Sequence, residues 1–270
     1  RERSRSVESI IYEAEKAVKN GFREVTLLGQ NVNSYKFKNH KFHHLLEKIS
    51  QISGISRIRY TSPHPEDITD ELLYVMRKHE NISNYIHLPL QSGSNRILKR
   101  MHRSYTKEEF LLLAKKIRKT LPGVGISTDI IVGFPGEDDK AFQSTIDVMD
   151  KVKFDSAFTF MYSPRIGTKA AEYDDQIPED TKKLRLERII QLQKKHSLKR
   201  NIQLLGTTQE ILIEKESKMS KKQWAGRTDS NKWVIFDKRD SNLNDMVKVF
   251  IKDAKGITLQ GDLINDLKAA

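Results

Sequence analysis

Apolar positions along this chain recur with two alternating periods, and the alternation gives the element order. Short β-rich runs stand at "REVTLLGQ", "SRIRYTSP", "YIHLPLQS", "GISTDIIVGF" and "FDSAFTFMYS". The segments between them carry helical spacing, as at Ile10, Ala14, Ala17 and Val18, or at Phe110, Leu113, Ala114 and Ile117. Strands separated by helices pair in parallel through right-handed crossovers, so the predicted class is α/β, wound toward a partial (β/α) barrel or an open doubly wound sheet. After a long charged helix from about Glu179 to Gln203 the pattern changes. "TQEILIEKES", "KWVIFDK", "MVKVFIKDA" and "ITLQGDLI" read as strands without helices between them, which predicts a small antiparallel β-barrel. The expected domains are 1–204 and 205–270.

Polar residues of the first domain gather at the C-terminal ends of its strands. Gly29, Gln30 and Asn31 follow the first, Ser62 and His64 the second, and Gln91 and Ser92 the third. Asp129 and Glu137 belong to the fourth, and Tyr162, Ser163 and Arg165 to the fifth. In parallel α/β folds ligands bind at this edge. Composition narrows the chemistry. With 48 Lys+Arg against 36 Asp+Glu the formal charge is +12, which favours an anionic partner such as RNA, DNA or an acidic protein. There is no cysteine, hence no disulfide framework and no thiolate for zinc or an iron–sulfur cluster. No apolar run reaches the roughly 18 residues of a membrane span and no leader pattern is seen, so a cytoplasmic chain without a membrane partner is expected. His64 and His87 read as structural, because no paired carboxylate is evident beside either. "KNHKFHH" reads as a loop running into a helix, with no metal spacing.

"EVTLLGQNVNSY", "HLPLQSGSNRILKRMHRSYT", "STDIIVGFPGE" and "FTFMYSPRIGTKAA" together resemble the radical S-adenosylmethionine (SAM) methylthiotransferases, most closely the MiaB-type tRNA enzymes. The resemblance runs through nearly the whole chain. It implies a TIM-like radical-SAM barrel, SAM as cofactor, two [4Fe–4S] clusters in the full-length protein, and transfer of a 2-methylthio group to N6-isopentenyladenosine beside a tRNA anticodon. Family members carry a Cys-x3-Cys-x2-Cys loop just upstream of a segment like "RERSR", so this chain is expected to begin immediately after that loop and to be inactive alone. A sibling acting on threonylcarbamoyl-adenosine or on a ribosomal protein, and a non-catalytic RNA-binding protein, remain alternatives. The expected partner is the tRNA anticodon stem-loop, and the expected state a monomer.

SAM combines an ammonium, a carboxylate, a ribose diol and an adenine, and each asks for a different contact. The resemblance places Gly29, Gln30 and Asn31 on the ammonium, although a strand-ending turn explains the same residues. Gln91 and Asp129 offer acceptors at neighbouring strand ends, as a ribose diol requires. Arg103 is suited to fork onto a carboxylate, or else belongs to a solvated basic face. Gly133 and Gly136 lack a Cβ, so the backbone there is expected to approach the ligand, while Glu137 is expected to cap the next helix. Met161 or Tyr162 would flank the adenine or lie in the core.

The C-terminal part resembles the TRAM domain, an RNA-binding barrel, through "SKMSKKQWAGRTDSNKWVIF". Lys218, Lys221, Lys222 and Arg227 are the candidate phosphate contacts, with Trp224 and Trp233 among them. Trp233, alternating with Val234 and Ile235, is expected in the core. The basic residues of the connecting helix, Lys182 and Arg185 included, read as a solvated face.

Overall fold

The computed structural model describes residues 3–264. In chain order the elements are α1 (Val7–Lys19), β1 (Glu24–Leu27), β2 (Lys36–Phe37), β3 (His40–Lys41), α2 (Phe42–Ser50), β4 (Arg57–Tyr60), α3 (Asp70–Lys78), β5 (Tyr85–His87), α4 (Asn95–Arg100) and α5 (Lys107–Thr120). They continue as β6 (Gly125–Val132), α6 (Asp139–Val152), β7 (Ser156–Met161), α7 (Glu179–Ile202), β8 (Thr208–Glu216), β9 (Gln223–Thr228), β10 (Trp233–Asp237), β11 (Met246–Lys255) and β12 (Thr258–Leu263). All five strands expected in the first part form, and the pairs β1–β4 and β6–β7 are parallel. "KNHKFHH" supplies the turn and second strand of the short hairpin β2–β3 and then enters α2.

Helix starts follow from local chemistry. The Ser6 hydroxyl accepts from Ser9 N at 3.2 Å to cap α1, and Thr69 does the same for α3. Thr106 and Glu109 form a reciprocal capping box at α5. Asp138, not Glu137, caps α6, its Oδ1 accepting from Ala141 N at 2.7 Å.

The described chain forms two compact units, one of residues 3–86, 120–125 and 201–264, the other of residues 87–119 and 126–200. In the first unit β8 to β12 close into a barrel in the order β10-β12-β11-β8-β9. Four of its pairings are antiparallel and β10–β12 is parallel. β9 lies outside the strands expected from sequence, because "QWAGRT" has only two apolar side chains, adjacent to each other, and so shows no alternation. Ile211, Ile213, Val234, Phe236, Val249, Ile251 and Leu259 fill the barrel, each contributing about 1.5–3 kcal/mol by leaving water. Closure leaves no bare strand edge.

This barrel shares its unit with the first α/β repeats, and polar contacts explain why. Arg57, 2% exposed, donates to Arg227 O at 2.7 Å, and Arg59 donates to Thr228 O at 3.1 Å and to Glu24. Ser83 and Asn84 N donate to Asp229. The turn after β9 is thereby fixed against β4 and the start of β5. Burial lowers the pKa of both arginines and raises that of Asp229.

In the second unit Leu88, Leu90, Ile97, Phe110, Ile117, Ile130, Val132, Met149 and Phe154 are buried. α7 covers this core with a polar face, which departs from the solvated helix expected. Arg185 reaches Glu137, His196 meets Asp150 at 2.9 Å, and Ser197 donates to Asp155 O at 2.8 Å. Arg185, His196 and Ser197 thereby gain partners that offset part of their desolvation, while Gln193 Oε1 and His196 Nδ1 are buried without one.

Candidate functional site

The parallel sheet of the second unit brings the C-terminal ends of its strands together. Gln91 bridges Ile130, donating its N–H to Asp129 O at 2.8 Å and accepting from Ile131 N at 2.9 Å. This pairing holds Gln91 at φ +67°, a left-handed conformation that a non-glycine residue adopts at a cost of about 1–2 kcal/mol. A cavity of about 640 Å³ opens beside it. Five of the residues that the sequence suggests for SAM line this one cavity, Gln91, Arg103, Asp129, Met161 and Tyr162, together with the strand-end residues Ser163 and Arg165.

Their states differ in ways that matter for binding. Arg103 is half-buried, and no ion pair or side-chain hydrogen bond engages it among the described residues. Asp129 Oδ2 lies 3.2 Å from His87 Nε2, and His87 Nδ1 lies 2.8 Å from Ser127 Oγ. The consistent assignment has Nε2–H donating to the carboxylate and Nδ1 accepting from the serine hydroxyl. That leaves Asp129 Oδ1 for a ligand. Sequence reading missed this pair, since its members lie on neighbouring strands 42 residues apart. The Tyr162 ring packs edge-on to Phe134 at 5.0 Å, and its hydroxyl is buried without a hydrogen-bond partner. An orphaned buried hydroxyl on a cavity wall is a point where a polar ligand atom would be stabilised.

The "GFPGE" turn packs closely against side chains of the protein itself. Gly133 has φ +72°, and a Cβ there would lie 2.3 Å from Lys182 Cγ. At Gly136 a Cβ would meet Arg100 Nη1 at 2.4 Å and Asp175 Oδ2 at 2.6 Å. Gly133 is therefore required by packing against Lys182 and Gly136 by its φ of +80°, and Gly133 is not among the residues lining the cavity. Glu137, expected as a cap, is fully buried and closes the turn from inside. Its Oε2 accepts from Gly133 N at 2.7 Å and pairs with Arg185 at 3.1 Å. Burial outweighs these contacts and pushes its carboxyl pKa up from 4.5.

Gly29, Gln30 and Asn31 lie in the first unit, where they line a hollow of about 400 Å³ together with Arg5 and Tyr35. Gln30 and Asn31 are exposed. Their loop is fixed by Asn33, which donates to His64 O at 2.9 Å and accepts from His64 N at 2.7 Å.

On the barrel, Lys218, Lys221 and Lys222 are exposed, but Arg227 is engaged. Its Nε donates to Glu214 at 2.6 Å and its Nη1 to Asn231 at 2.9 Å, while Glu24 lies 3.6 Å away. Trp233, expected in the core, is half-buried under Lys215 and Arg227, at 4.2 Å and 5.4 Å from the ring centre. Val234 and Phe236 point inward in its place, as the alternation of β10 requires.

The family profile described as the Radical SAM superfamily matches residues 1–149, and that of the TRAM domain matches residues 203–264. A protein of Carboxydothermus hydrogenoformans named tRNA-2-methylthio-N(6)-dimethylallyladenosine synthase is 48% identical over 98% of this chain and 61% of its own length. One of the same name from Caldicellulosiruptor saccharolyticus is 48% identical over 98% of this chain and 56% of its own. The chain thus spans about six-tenths of the length of the curated relatives it matches. Among solved structures, the Escherichia coli coproporphyrinogen III oxidase, titled a radical SAM enzyme, matches with a TM-score of 0.53 at 13% identity, over 83% of this chain and 60% of that one. At that identity the likeness is one of fold, the α/β TIM-like class, to which this chain adds the closed five-stranded barrel.

Proposed function

This chain belongs to the radical SAM superfamily, and from that premise we propose that the protein it forms part of is a tRNA methylthiotransferase, adding a 2-methylthio group to N6-isopentenyladenosine beside the anticodon. Residues 1–204 serve the reaction and residues 205–270 hold RNA. The observation that carries this reading is the second unit's cavity, whose wall combines an arginine, a carboxylate oxygen and a phenol that have no partner among the described residues, over an apolar floor.

These groups fit SAM. Arg103 would fork onto its carboxylate, and Gln91 and Asp129 would accept from the ribose diol, with His87 holding the Asp129 carboxylate in place. Tyr162 and Met161 would flank the adenine; Gly29, Gln30 and Asn31 are assigned to the ammonium by the family resemblance alone. Gly133 shapes the turn that follows β6. Bound next to a reduced cluster, SAM would supply a carbon radical able to take hydrogen from an adenine carbon; the residues of this chain orient SAM and exclude water. The residues present do not fit an iron–sulfur cluster, since the chain has no cysteine. The clusters, two in our reading, are assigned to the rest of the protein, and this chain alone is inactive. The enzyme is a cytoplasmic monomer that meets the tRNA anticodon stem-loop; among the described residues no helix is long and apolar enough to cross a membrane.

Equilibrium SAM binding by the full-length protein tests the cavity. Arg103→Ala and Asp129→Ala should each weaken binding about tenfold or more, as expected for lost hydrogen bonds to charged groups, with the melting temperature retained. Unchanged affinity in both variants would remove SAM from this cavity.

A further inference from the structure

Phe158 and Phe160 are 57% and 51% exposed. They alternate with half-buried neighbours along β7 and so share one face of the sheet, opposite Asp129 and Ile131 of β6. Parallel sheets are ordinarily covered on both faces, so two half-bare rings on one face mark a surface kept for something flat and apolar. Phe158 is already held edge-on by His87 at 5.9 Å. Phe160 is free of such a contact among the described residues and lines the cavity together with Arg165 and Lys169.

Those two cations flank a tight turn just beyond β7. Thr168 donates twice to Arg165 O, from N at 3.1 Å and Oγ1 at 2.8 Å, and Gly167 takes φ +82° to close it. At the tip Ile166 is 105% exposed, an apolar side chain standing in water. Arg165 and Lys169 are exposed, with no carboxylate partner among the described residues. A single ligand carboxylate occupies one cation, and half-buried Arg103 is the one placed for it. The turn's two positive charges are surplus to that need and match a ligand carrying more than one phosphate.

We propose that Phe160 and the Arg165–Lys169 turn hold one unpaired nucleotide of an RNA loop, its base stacked on the ring and its neighbouring phosphates on the two cations. Ile166 packs against the sugar or the next base. Loop RNA fits better than duplex because its bases can leave the stack at small cost. The inference rests on the reading of this chain as part of an RNA-modifying enzyme, and it names the surface that receives the reacting nucleotide.

The test titrates this chain with a fluorescein-labelled RNA hairpin carrying an adenosine in its loop, and with the same strand fully duplexed, at several salt concentrations. Phe160→Ala should weaken hairpin binding on the order of tenfold with the salt slope unchanged, and Phe160→Trp should retain affinity. Arg165→Ala with Lys169→Ala should lower the salt slope by about 1.4 units, the value for two phosphate contacts on a single strand. Melting temperatures should stay at the wild-type value, since all three side chains are exposed. If these variants bind the hairpin as the wild type does while Lys221→Ala with Lys222→Ala weakens it, the nucleotide wall is overturned and RNA binding by the barrel stands. If the wild-type chain binds neither RNA at low salt, the RNA-enzyme reading falls and this inference with it.

Discussion

Arg103 on the second unit's cavity and Arg227 on the C-terminal barrel look alike in sequence, each a basic residue close to others and near an aromatic. In the structure they are opposites. Arg227 is held by Glu214, Asn231 and Glu24 and covers Trp233, whereas Arg103 faces a cavity with its guanidinium unpaired among the described residues. A net charge of +12 counts both equally. What a cation can do for a ligand depends on whether the fold has already matched it, because breaking an internal pair to bind elsewhere costs what the pair contributed. Cations therefore divide into those that support the fold and those available for recognition, and substitution should separate the two groups.

The largest effect is expected where a buried cation is matched to a fully buried carboxylate. Arg185→Ala would leave Glu137 buried without its partner and free the Asp139 contact, a loss of about 3 kcal/mol or more in chemical denaturation. A smaller loss, about 1–2 kcal/mol, should follow Arg227→Ala, whose pairs are partly solvated. A stability unchanged by Arg227→Ala, with tRNA affinity reduced, would put Arg227 among the recognition cations after all. Lys221→Ala with Lys222→Ala should leave stability within about 0.5 kcal/mol, as at open surface sites. It should instead lower the slope of log affinity for tRNA against log salt by about two units. A slope equal to the wild type's would make these lysines a solvated surface only.

The smallest expected effect is in pH. Burial raises the Glu137 carboxyl pKa above its ordinary 4.5. Between the unfolded and folded pKa values the folded chain binds more protons than the unfolded one, so stability falls as pH rises above about 4.5 and levels off beyond the folded value. Glu137→Gln removes this titration. Denaturation of the wild type and the Gln variant from acid to neutral pH should show the stability difference shifting against the wild type as pH rises. A constant difference would mean that the Arg185 and Gly133 contacts fully compensate for burial.

Periodicity by itself determined the strands and helices of the first part, the change to an all-β segment after α7, and the edge at which Gln91, Asp129 and Tyr162 collect. These are local properties, fixed by alternation and by where polar residues interrupt it. Only the tertiary structure decided that Glu137 is a buried acceptor and that Gly133 makes room for Lys182. The same holds for Asp129 and His87, whose side chains meet across 42 residues of sequence. It also decided that the polar face of α7 is buried and that the turn after β9 meets Arg57 and Arg59. The reason is common to all of these. Whether a polar side chain is solvated, paired or orphaned depends on groups distant in sequence that arrive only when the chain folds, and desolvation then makes each match or mismatch count in energy.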